Sequence, residues 1–215
     1  MTRKIQYLVL HTSAGWQKQP NGQWTRGGHL MDFFFAPKLQ PNGKLLYKAK
    51  LYSSQADLPN ERLPYSGISV RKAYPHGNGW LTGGYHKLIE GDGNVYNAYS
   101  DEIVTNGVRP SPDGLVSNSN CVHLNWIGGL VKVRDNKGVE RLVGVDNRTE
   151  AQKSKLAELV LEYVHKYPSI LVAGHYALNQ KPCPLFNVPS FLVDIGVKGR
   201  NIYFKDPWGL GKGLK

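Results

Sequence analysis

The chain has 215 residues, of which 40% are hydrophobic, and it carries a formal net charge of +11. A chain of this length buries a full core without disulfide staples, so the composition excludes a small disulfide scaffold and favours one domain. The positive charge attracts polyanions such as nucleic acid, anionic lipid and acidic wall polymers, and charge alone does not choose among them.

The sequence predicts neither a membrane span nor a signal peptide. No run of about 18 apolar residues occurs, so the sequence predicts no membrane span. The first four residues precede a short apolar stretch without a small-residue cleavage site, so we expect synthesis in the cytoplasm without a signal peptide. In that reducing compartment, Cys121 and Cys183 are expected to be free thiols.

The first predicted element is a strand at residues 5–10, a short continuous apolar run of the kind that is buried on both faces. It ends at His11, and side chains at strand ends are well placed to build sites. Residues 29–35 form either a short helix or a buried turn. Residues 45–52 alternate in part between apolar and polar side chains, which predicts a strand with Lys48 and Lys50 on its solvated side.

Two hairpins are predicted in the middle of the chain. Residues 83–99 comprise two apolar-rich runs joined by a glycine-rich acidic turn, and residues 130–143 show a second hairpin signal. Between them, residues 121–127 predict a further strand that is closed by two glycines.

The strongest helix prediction covers residues 149–167, where apolar residues recur at helical spacing and charged residues take the other face. Asn147 or Thr149 is the predicted N-cap, and Pro168 ends the helix. A short buried strand at residues 170–173 follows. This order predicts an α/β fold, a single domain with a central mixed β-sheet flanked by helices.

The chemistry is concentrated in the loop that follows this last strand. His175 and Cys183 are separated by eight positions and supply two soft zinc ligands, while Lys181 adds a cation two positions before the thiol. His11 is the best candidate for a third ligand, because it also follows a short apolar strand. Three protein ligands with an open position are typical of a catalytic zinc site.

Four motifs then occur in one order along residues 5–190. They are Leu8-Val-Leu-His11-Thr-Ser-Ala14, Gly79-Trp80 followed by Gly84-Tyr85-His86, Thr149-Glu-Ala-Gln152, and Gly174-His175 with Lys181-Pro-Cys183-Pro-Leu-Phe186. Together they resemble the zinc-dependent N-acetylmuramoyl-L-alanine amidases, the family that contains T7-type phage lysozyme and the peptidoglycan recognition proteins. The resemblance implies an amidase domain over residues 1–195, with an enlarged loop or insertion at 16–79, followed by a basic, glycine-rich C-terminal tail at 196–215.

The same resemblance implies roles for five residues. His11, His175 and Cys183 would bind Zn²⁺, and Tyr85 and Lys181 would be catalytic residues beside the metal. The implied reaction is hydrolysis of the amide bond between the lactyl group of N-acetylmuramic acid and L-alanine of the stem peptide, so peptidoglycan is the implied partner. In it, zinc activates water, and zinc, Lys181 and the Tyr85 hydroxyl stabilise the oxyanion.

Three features depart from the family pattern. Residues 16–79 are longer than the compact family core needs, so we expect an insertion that rims or covers the groove. The family's usual histidine in the loop before the third strand has no counterpart in residues 106–109. Asn187 stands where the family often has an acidic residue directly after the Cys-Pro-x-Phe run. These departures concern contacts with the substrate and leave the ligand set intact.

The remaining histidines are not assigned to the metal. His86, next to Tyr85, is expected to be a hairpin residue near the groove. The other four are expected to be structural or surface residues: His29, His76, His123 and His165. Among them, His123 is the best placed to approach the groove.

The predicted function is that of a phage or prophage endolysin, a monomer that is made in the cytoplasm and acts on the cell wall after release. The basic surface suits an anionic wall, and nucleic acid is not expected as a partner. Two alternatives stay open, a cytosolic amidase that recycles wall fragments and a non-catalytic peptidoglycan-binding protein. Cys183 disfavours both, because the recycling enzymes often carry Asp there and the non-catalytic binders lose the thiol. A regulatory role in binding a polymerase, as in T7-type lysozyme, also stays open.

Overall fold

The framework of the molecule is a five-stranded β-sheet, seen in a computed structural model that describes residues 3–73 and 77–214. The strands in chain order are β1 (Tyr7–Thr12), β2 (Lys38–Leu39), β3 (Leu45–Tyr47), β4 (Lys50–Tyr52), β5 (Lys87–Ile89), β6 (Val95–Asn97), β7 (Cys121–Trp126), β8 (Leu130–Arg134), β9 (Glu140–Gly144) and β10 (Leu171–Gly174). The helices are α1 (Gly27–Phe35), α2 (Val70–Ala73), α3 (Glu150–Lys166) and α4 (Val188–Asp194).

The central sheet is mixed, as predicted. Its strand order is β10-β1-β7-β5-β6, and the first four strands run parallel while β6 pairs antiparallel with β5. β1 lies between β10 and β7, and all six of its residues are buried. A parallel strand covered on both faces requires an uninterrupted apolar run, which is the pattern that the sequence shows here.

One face of the sheet packs on α3 and forms the main core. Alternate residues of β1 and β7 point to this face, so Leu8, Leu10, Val122 and Leu124 meet the apolar side of the helix. The helix contributes its own buried stripe at helical spacing: Leu156, Leu159, Val160 and Tyr163. The prediction of a long amphipathic helix is confirmed, and Thr149 rather than Asn147 is its N-cap.

A buried amide connects α3 to the sheet. Gln152 is completely buried, and its Nε2 donates hydrogen bonds to the backbone carbonyls of Ile89 at 3.1 Å and Ile127 at 2.9 Å. Its Oε1 accepts from Gln17 Nε2 at 2.8 Å and from the backbone N–H of Thr149 at 3.1 Å. One side chain therefore satisfies polar groups from the helix N-terminus and from the carboxyl ends of two strands.

The opposite face of the sheet is covered in part by α1. The helix begins at Gly27, which resolves the alternative between a helix and a turn for residues 29–35. Its Met31 and Phe34 pack with Leu88 and Ile127. A Cβ at Gly28 would lie 2.0 Å from the Tyr65 ring, so only glycine permits this close packing.

The predicted single strand at residues 45–52 is wrong. This stretch is a tight hairpin, in which β3 and β4 pair antiparallel with Tyr47 opposite Lys50. The two turn residues, Lys48 and Ala49, have φ angles of 47° and 59°. Such turns usually carry glycine or asparagine, so the sequence lacks the signal that would have revealed this one.

The other predicted elements of the middle and the end of the chain are confirmed. Hairpins β5–β6 and β8–β9, strand β7 and strand β10 all form near their predicted positions. The C-terminal segment packs on the domain: Ile202 is 4% exposed and pairs with Val172, and Asn187 Nδ2 donates to the Gly211 carbonyl at 3.1 Å.

Both cysteines are free, as expected. Cys121 is the buried first residue of β7, whereas Cys183 lies in the loop after β10. Within residues 3–73 and 77–214, no helix has the length and apolar content needed to cross a membrane.

Gln152→Met tests the buried amide. The substitution removes four hydrogen bonds and leaves buried carbonyls unsatisfied, so we expect it to lower the free energy of unfolding by about 2–4 kcal/mol. Urea unfolding followed by circular dichroism measures the loss. Gln23→Met, an exposed position whose side chain makes no hydrogen bond within the described residues, is the control and should leave the midpoint unchanged. Equal midpoints for the two variants would contradict this assignment.

Candidate metal centre and its groove

Three side chains converge at the carboxyl edge of the sheet. His11 Nδ1 lies 3.2 Å from His175 Nδ1, and Cys183 Sγ lies 3.8 Å from His11 Nδ1. The three candidate ligand atoms all lie within 4.8 Å of one another. The two histidines are buried, and Cys183 is half-buried.

The two separations that involve His11 Nδ1, 3.2 and 3.8 Å, are close to the edges of a tetrahedral zinc site. Zinc–nitrogen bonds of about 2.0–2.1 Å and a zinc–sulfur bond of about 2.3 Å imply nitrogen–nitrogen and nitrogen–sulfur edges of about 3.3 and 3.6 Å. Two imidazoles and one thiol are also ligands that zinc accepts, and three protein ligands leave a fourth position for water or substrate. The residues present therefore fit a catalytic zinc ion.

The fold explains why residues so distant in sequence meet. β1 and β10 are parallel neighbours with Leu10 opposite Gly174, so the residues that follow, His11 and His175, emerge at the same edge. The loop after β10 then turns back, because the Tyr176 N–H donates to the Cys183 carbonyl at 2.7 Å. The Thr12 N–H donates to Cys183 Sγ at 3.2 Å and fixes the thiol beside β1.

The outer nitrogen of each histidine also has a partner. His11 Nε2 lies 3.1 Å from His123 Nδ1, and His175 Nε2 lies 2.9 Å from Asn179 Oδ1. Second-layer acceptors of this kind orient metal-binding imidazoles. Neither His123 nor Asn179 was predicted to be part of the metal site. A predicted strand at residues 121–127 does not reveal which residue of a neighbouring strand His123 would meet.

His86, expected near the groove, is not among the described residues that line it. It is completely buried behind His123, whose backbone N–H donates to His86 Nδ1 at 3.0 Å. His123 is likewise buried, which agrees with a structural position, and it contacts His11 as well. His76 lies outside the described residues.

Burial keeps the site uncharged when no cation is present. It lowers the pKa of His11 far below the usual value, and nearby His175 lowers it further. It also lowers the pKa of His175 to about 4 and raises the pKa of the Cys183 thiol to about 12. The imidazoles are therefore in the neutral form that binds metal, and the thiol would lose its proton when a cation binds.

Tyr85 packs against the cluster, and Lys181 lines the groove next to it. The Tyr85 ring centroid is 5.1 Å from that of His11 and 5.4 Å from that of Phe34. Burial raises the pKa of Tyr85, and the neighbouring Cys183 raises it further, so the hydroxyl stays a proton donor. Lys181 is exposed at the edge of the groove that also contains His175.

A groove of about 1140 Å³ leads away from His175. Leu46, Ala49 and Gly79, from the segment expected to rim the groove, are among its lining residues. The described lining residues include Arg109 and Lys181 as cations and no acidic residue. The groove is therefore suited to an anionic, extended ligand.

The chain is similar to phage endolysins in sequence. No family model matches it. The endolysin of Escherichia phage T7 is 30% identical over 127 residues, which span 58% of this chain and 75% of that endolysin. The endolysin of Klebsiella phage KP32 is 28% identical over 122 residues, 57% of this chain and 72% of the relative.

Among solved structures, the chain is similar to the Ph2119 endolysin from a Thermus scotoductus bacteriophage, with a TM-score of 0.47 and 20% identity over 92% of this chain and 90% of that one. It is also similar to an N-acetylmuramoyl-L-alanine amidase from Clostridium intestinale URNW, with a TM-score of 0.49 and 14% identity over 91% and 87% of the two chains.

Burial of the imidazoles predicts acid sensitivity of the metal-free protein. Burial lowers the pKa of both His86 and His175 to about 4, whereas unfolded imidazoles take up protons near the ordinary value of 6.5. The unfolded state therefore binds more protons as the pH falls from 6.5 towards 4, and stability is lost in that window. We expect each of the two to contribute a loss of roughly 2 kcal/mol between pH 7 and pH 5. Urea unfolding with a chelator at several pH values tests this, and constant midpoints between pH 5 and pH 7 would contradict it.

Proposed function

This chain belongs to the T7-lysozyme-type amidase family of phage endolysins, and from that premise we propose that it is a zinc enzyme that cleaves the bond between the lactyl group of N-acetylmuramic acid and L-alanine. The chain is a peptidoglycan hydrolase of the amidase type. What we propose is that it uses zinc and that it cleaves this particular amide bond. The observation that carries it is the convergence of His11, His175 and Cys183, of which His175 also lines the groove.

The three ligands would hold the metal with a position open towards the substrate. Zinc supplies Lewis acidity that polarises a carbonyl and lowers the pKa of water to near 7. The protein residues keep the ion in place: β1 provides His11, and the loop after β10 provides His175 and Cys183. The Thr12 N–H donates to Cys183 Sγ and would offset part of the charge of the thiolate once a metal is bound.

Tyr85 and Lys181 are proposed to stabilise the oxyanion that develops on the lactyl carbonyl. Tyr85 has a hydroxyl that stays protonated, and packing against His11 and Phe34 orients its ring. Lys181 adds a positive charge on the groove side of the cluster. A neutral donor and a cation placed at a developing negative charge act in the transition state rather than in substrate binding.

The groove is proposed to receive the stem peptide. Peptidoglycan stem peptides carry carboxylates, and the groove offers Arg109 and Lys181 with no acid among its described lining residues. Trp80 and Trp208 provide apolar surface on the same groove. A cationic groove beside a hydrolytic centre supports cleavage at the amide to which the peptide is attached.

The alternatives are less well supported. A non-catalytic peptidoglycan-binding protein has no need of a complete ligand set, yet all three ligand candidates are present and converge. A recycling amidase would act on soluble fragments. We propose that this enzyme acts on the intact wall after release from the cytoplasm, as its endolysin relatives suggest, and that it works as a monomer.

The decisive assay is mass spectrometry of purified peptidoglycan after incubation with the enzyme. We expect wild type to release peptides with a free L-alanine amine, a chelator to abolish the release and added zinc to restore it. Cys183→Ser should be inactive with or without zinc, because it lacks one ligand. Cys121→Ser is the matched control and should retain activity, since Cys121 lies at the start of β7 and is not part of the cluster. Activity that persists in the chelator, or cleavage of a glycosidic bond, would refute the proposal.

Tyr85→Phe and Lys181→Met test the two oxyanion partners. Removal of one such donor is expected to lower kcat on the order of 100-fold, with zinc content unchanged, because neither side chain is a ligand. Steady-state kinetics on a soluble muropeptide, with metal analysis, measure both quantities. Lys198→Met, an exposed lysine outside the groove lining, is the charge-matched control. A purely raised KM, or a kcat unchanged in both variants, would contradict these roles.

A further inference from the structure

A second imidazole lies directly behind the first candidate ligand. His123 is completely buried and His11 is 1% exposed, and their ring centroids are 5.2 Å apart. His11 Nε2 lies 3.1 Å from His123 Nδ1, within hydrogen-bond distance. This pair connects strand β7 to the candidate metal centre.

The orientation of His11 defines where its proton must be. Its Nδ1 faces His175 Nδ1 and Cys183 Sγ, so a metal in this cluster would take the lone pair of Nδ1. The hydrogen must then be on Nε2, and His123 Nδ1 is in place to accept it. His123 therefore favours the tautomer of His11 that binds metal.

Its neighbours hold His123 in this position. Its backbone N–H donates to His86 Nδ1 at 3.0 Å, and His86 Nε2 lies 2.9 Å from the Ile103 carbonyl, to which it can donate. A Cβ at Gly107 would lie 2.5 Å from both Cγ and Nδ1 of His123. The backbone at Gly107, which also lines the groove, therefore packs closely on this ring and limits its movement.

His123 is not the residue that stability alone would select. Its Nε2 has no hydrogen-bond partner within the described residues, and neither do the amide atoms of Asn125 on the same strand. Buried polar atoms without partners destabilise a fold, and an aliphatic residue at position 123 would avoid that cost. A costly polar side chain next to a candidate ligand indicates a functional requirement.

We infer that His123 is a positioning residue that fixes the tautomer and ring orientation of His11 for metal binding, with Gly107 holding the His123 ring in place. This inference rests on the proposed function, because it requires that His11 binds the metal. His123 does not touch the substrate, so its effect is exerted through the affinity and geometry of the metal.

The test compares His123→Leu with His123→Asn in the full chain. Leucine fills the space but offers no acceptor, whereas asparagine places an amide oxygen close to the position of Nδ1. Loss of a second-layer partner typically weakens metal binding about 10- to 100-fold. We expect that loss in His123→Leu and recovery of most of the affinity in His123→Asn. The zinc dissociation constant is measured by competition with a chromophoric chelator.

Two further measurements separate positioning from a merely structural role. The metal-free His123→Leu protein should melt within about 4 °C of wild type, because it loses one hydrogen bond and one unsatisfied nitrogen together. Its cobalt-substituted form should show altered d–d and thiolate-to-cobalt absorption. Gly107→Ala should weaken zinc binding as well, because the added methyl group displaces the His123 ring.

The outcomes distinguish the inference from the proposed function. If wild type binds no zinc, the proposed function fails. If wild type binds zinc, and His123→Leu binds it equally tightly with the same cobalt spectrum, the positioning role of His123 is overturned. Equal weakening in His123→Leu and His123→Asn, together with a large fall in the melting temperature of both metal-free proteins, would also overturn it.

Discussion

Parallel pairing of β1 with β10 and β7 is the constraint on which the whole site depends. It places the ends of three strands at one edge of the sheet and so brings together His11 and His175, which are separated by more than 160 positions in the chain. Burial at this edge keeps the imidazoles neutral and the thiol protonated. A cation is the partner that would offset the cost of a buried thiolate, so the same burial that shapes the cluster favours metal binding.

The two faces of the central sheet have different tasks. On the α3 face, apolar residues of β1 and β7, including Trp126, pack into the main core, and the buried Gln152 of α3 is hydrogen-bonded there. On the other face, β7 presents His123 and Asn125, which are buried and not fully satisfied within the described residues. Stability is therefore concentrated on one side and the polar groups that surround the candidate metal on the other, as expected where function competes with packing.

Much of the framework could be predicted from sequence because its signals are local. The apolar run before His11 and the amphipathic period of α3 each specify an element without reference to the rest of the chain. The hairpin at 45–52 was not predicted, because Lys48 and Ala49 adopt the positive φ angles at which glycine or asparagine is usual. His123 and Asn179 were not predicted as part of the site for another reason. The partner of His123 comes from a neighbouring strand, and that of Asn179 depends on how a loop turns back. A single sequence does not encode such pairings locally.

Zinc K-edge X-ray absorption of the protein loaded with one equivalent of zinc tests the central claim most directly, because it reports the type and distance of the ligands. The account predicts one sulfur at about 2.3 Å together with nitrogen and oxygen ligands at about 2.0–2.1 Å, in a four-coordinate site. The sulfur contribution should vanish in Cys183→Ser and persist in Cys121→Ser. A spectrum without sulfur, or with six oxygen or nitrogen ligands, would contradict a centre formed by His11, His175 and Cys183.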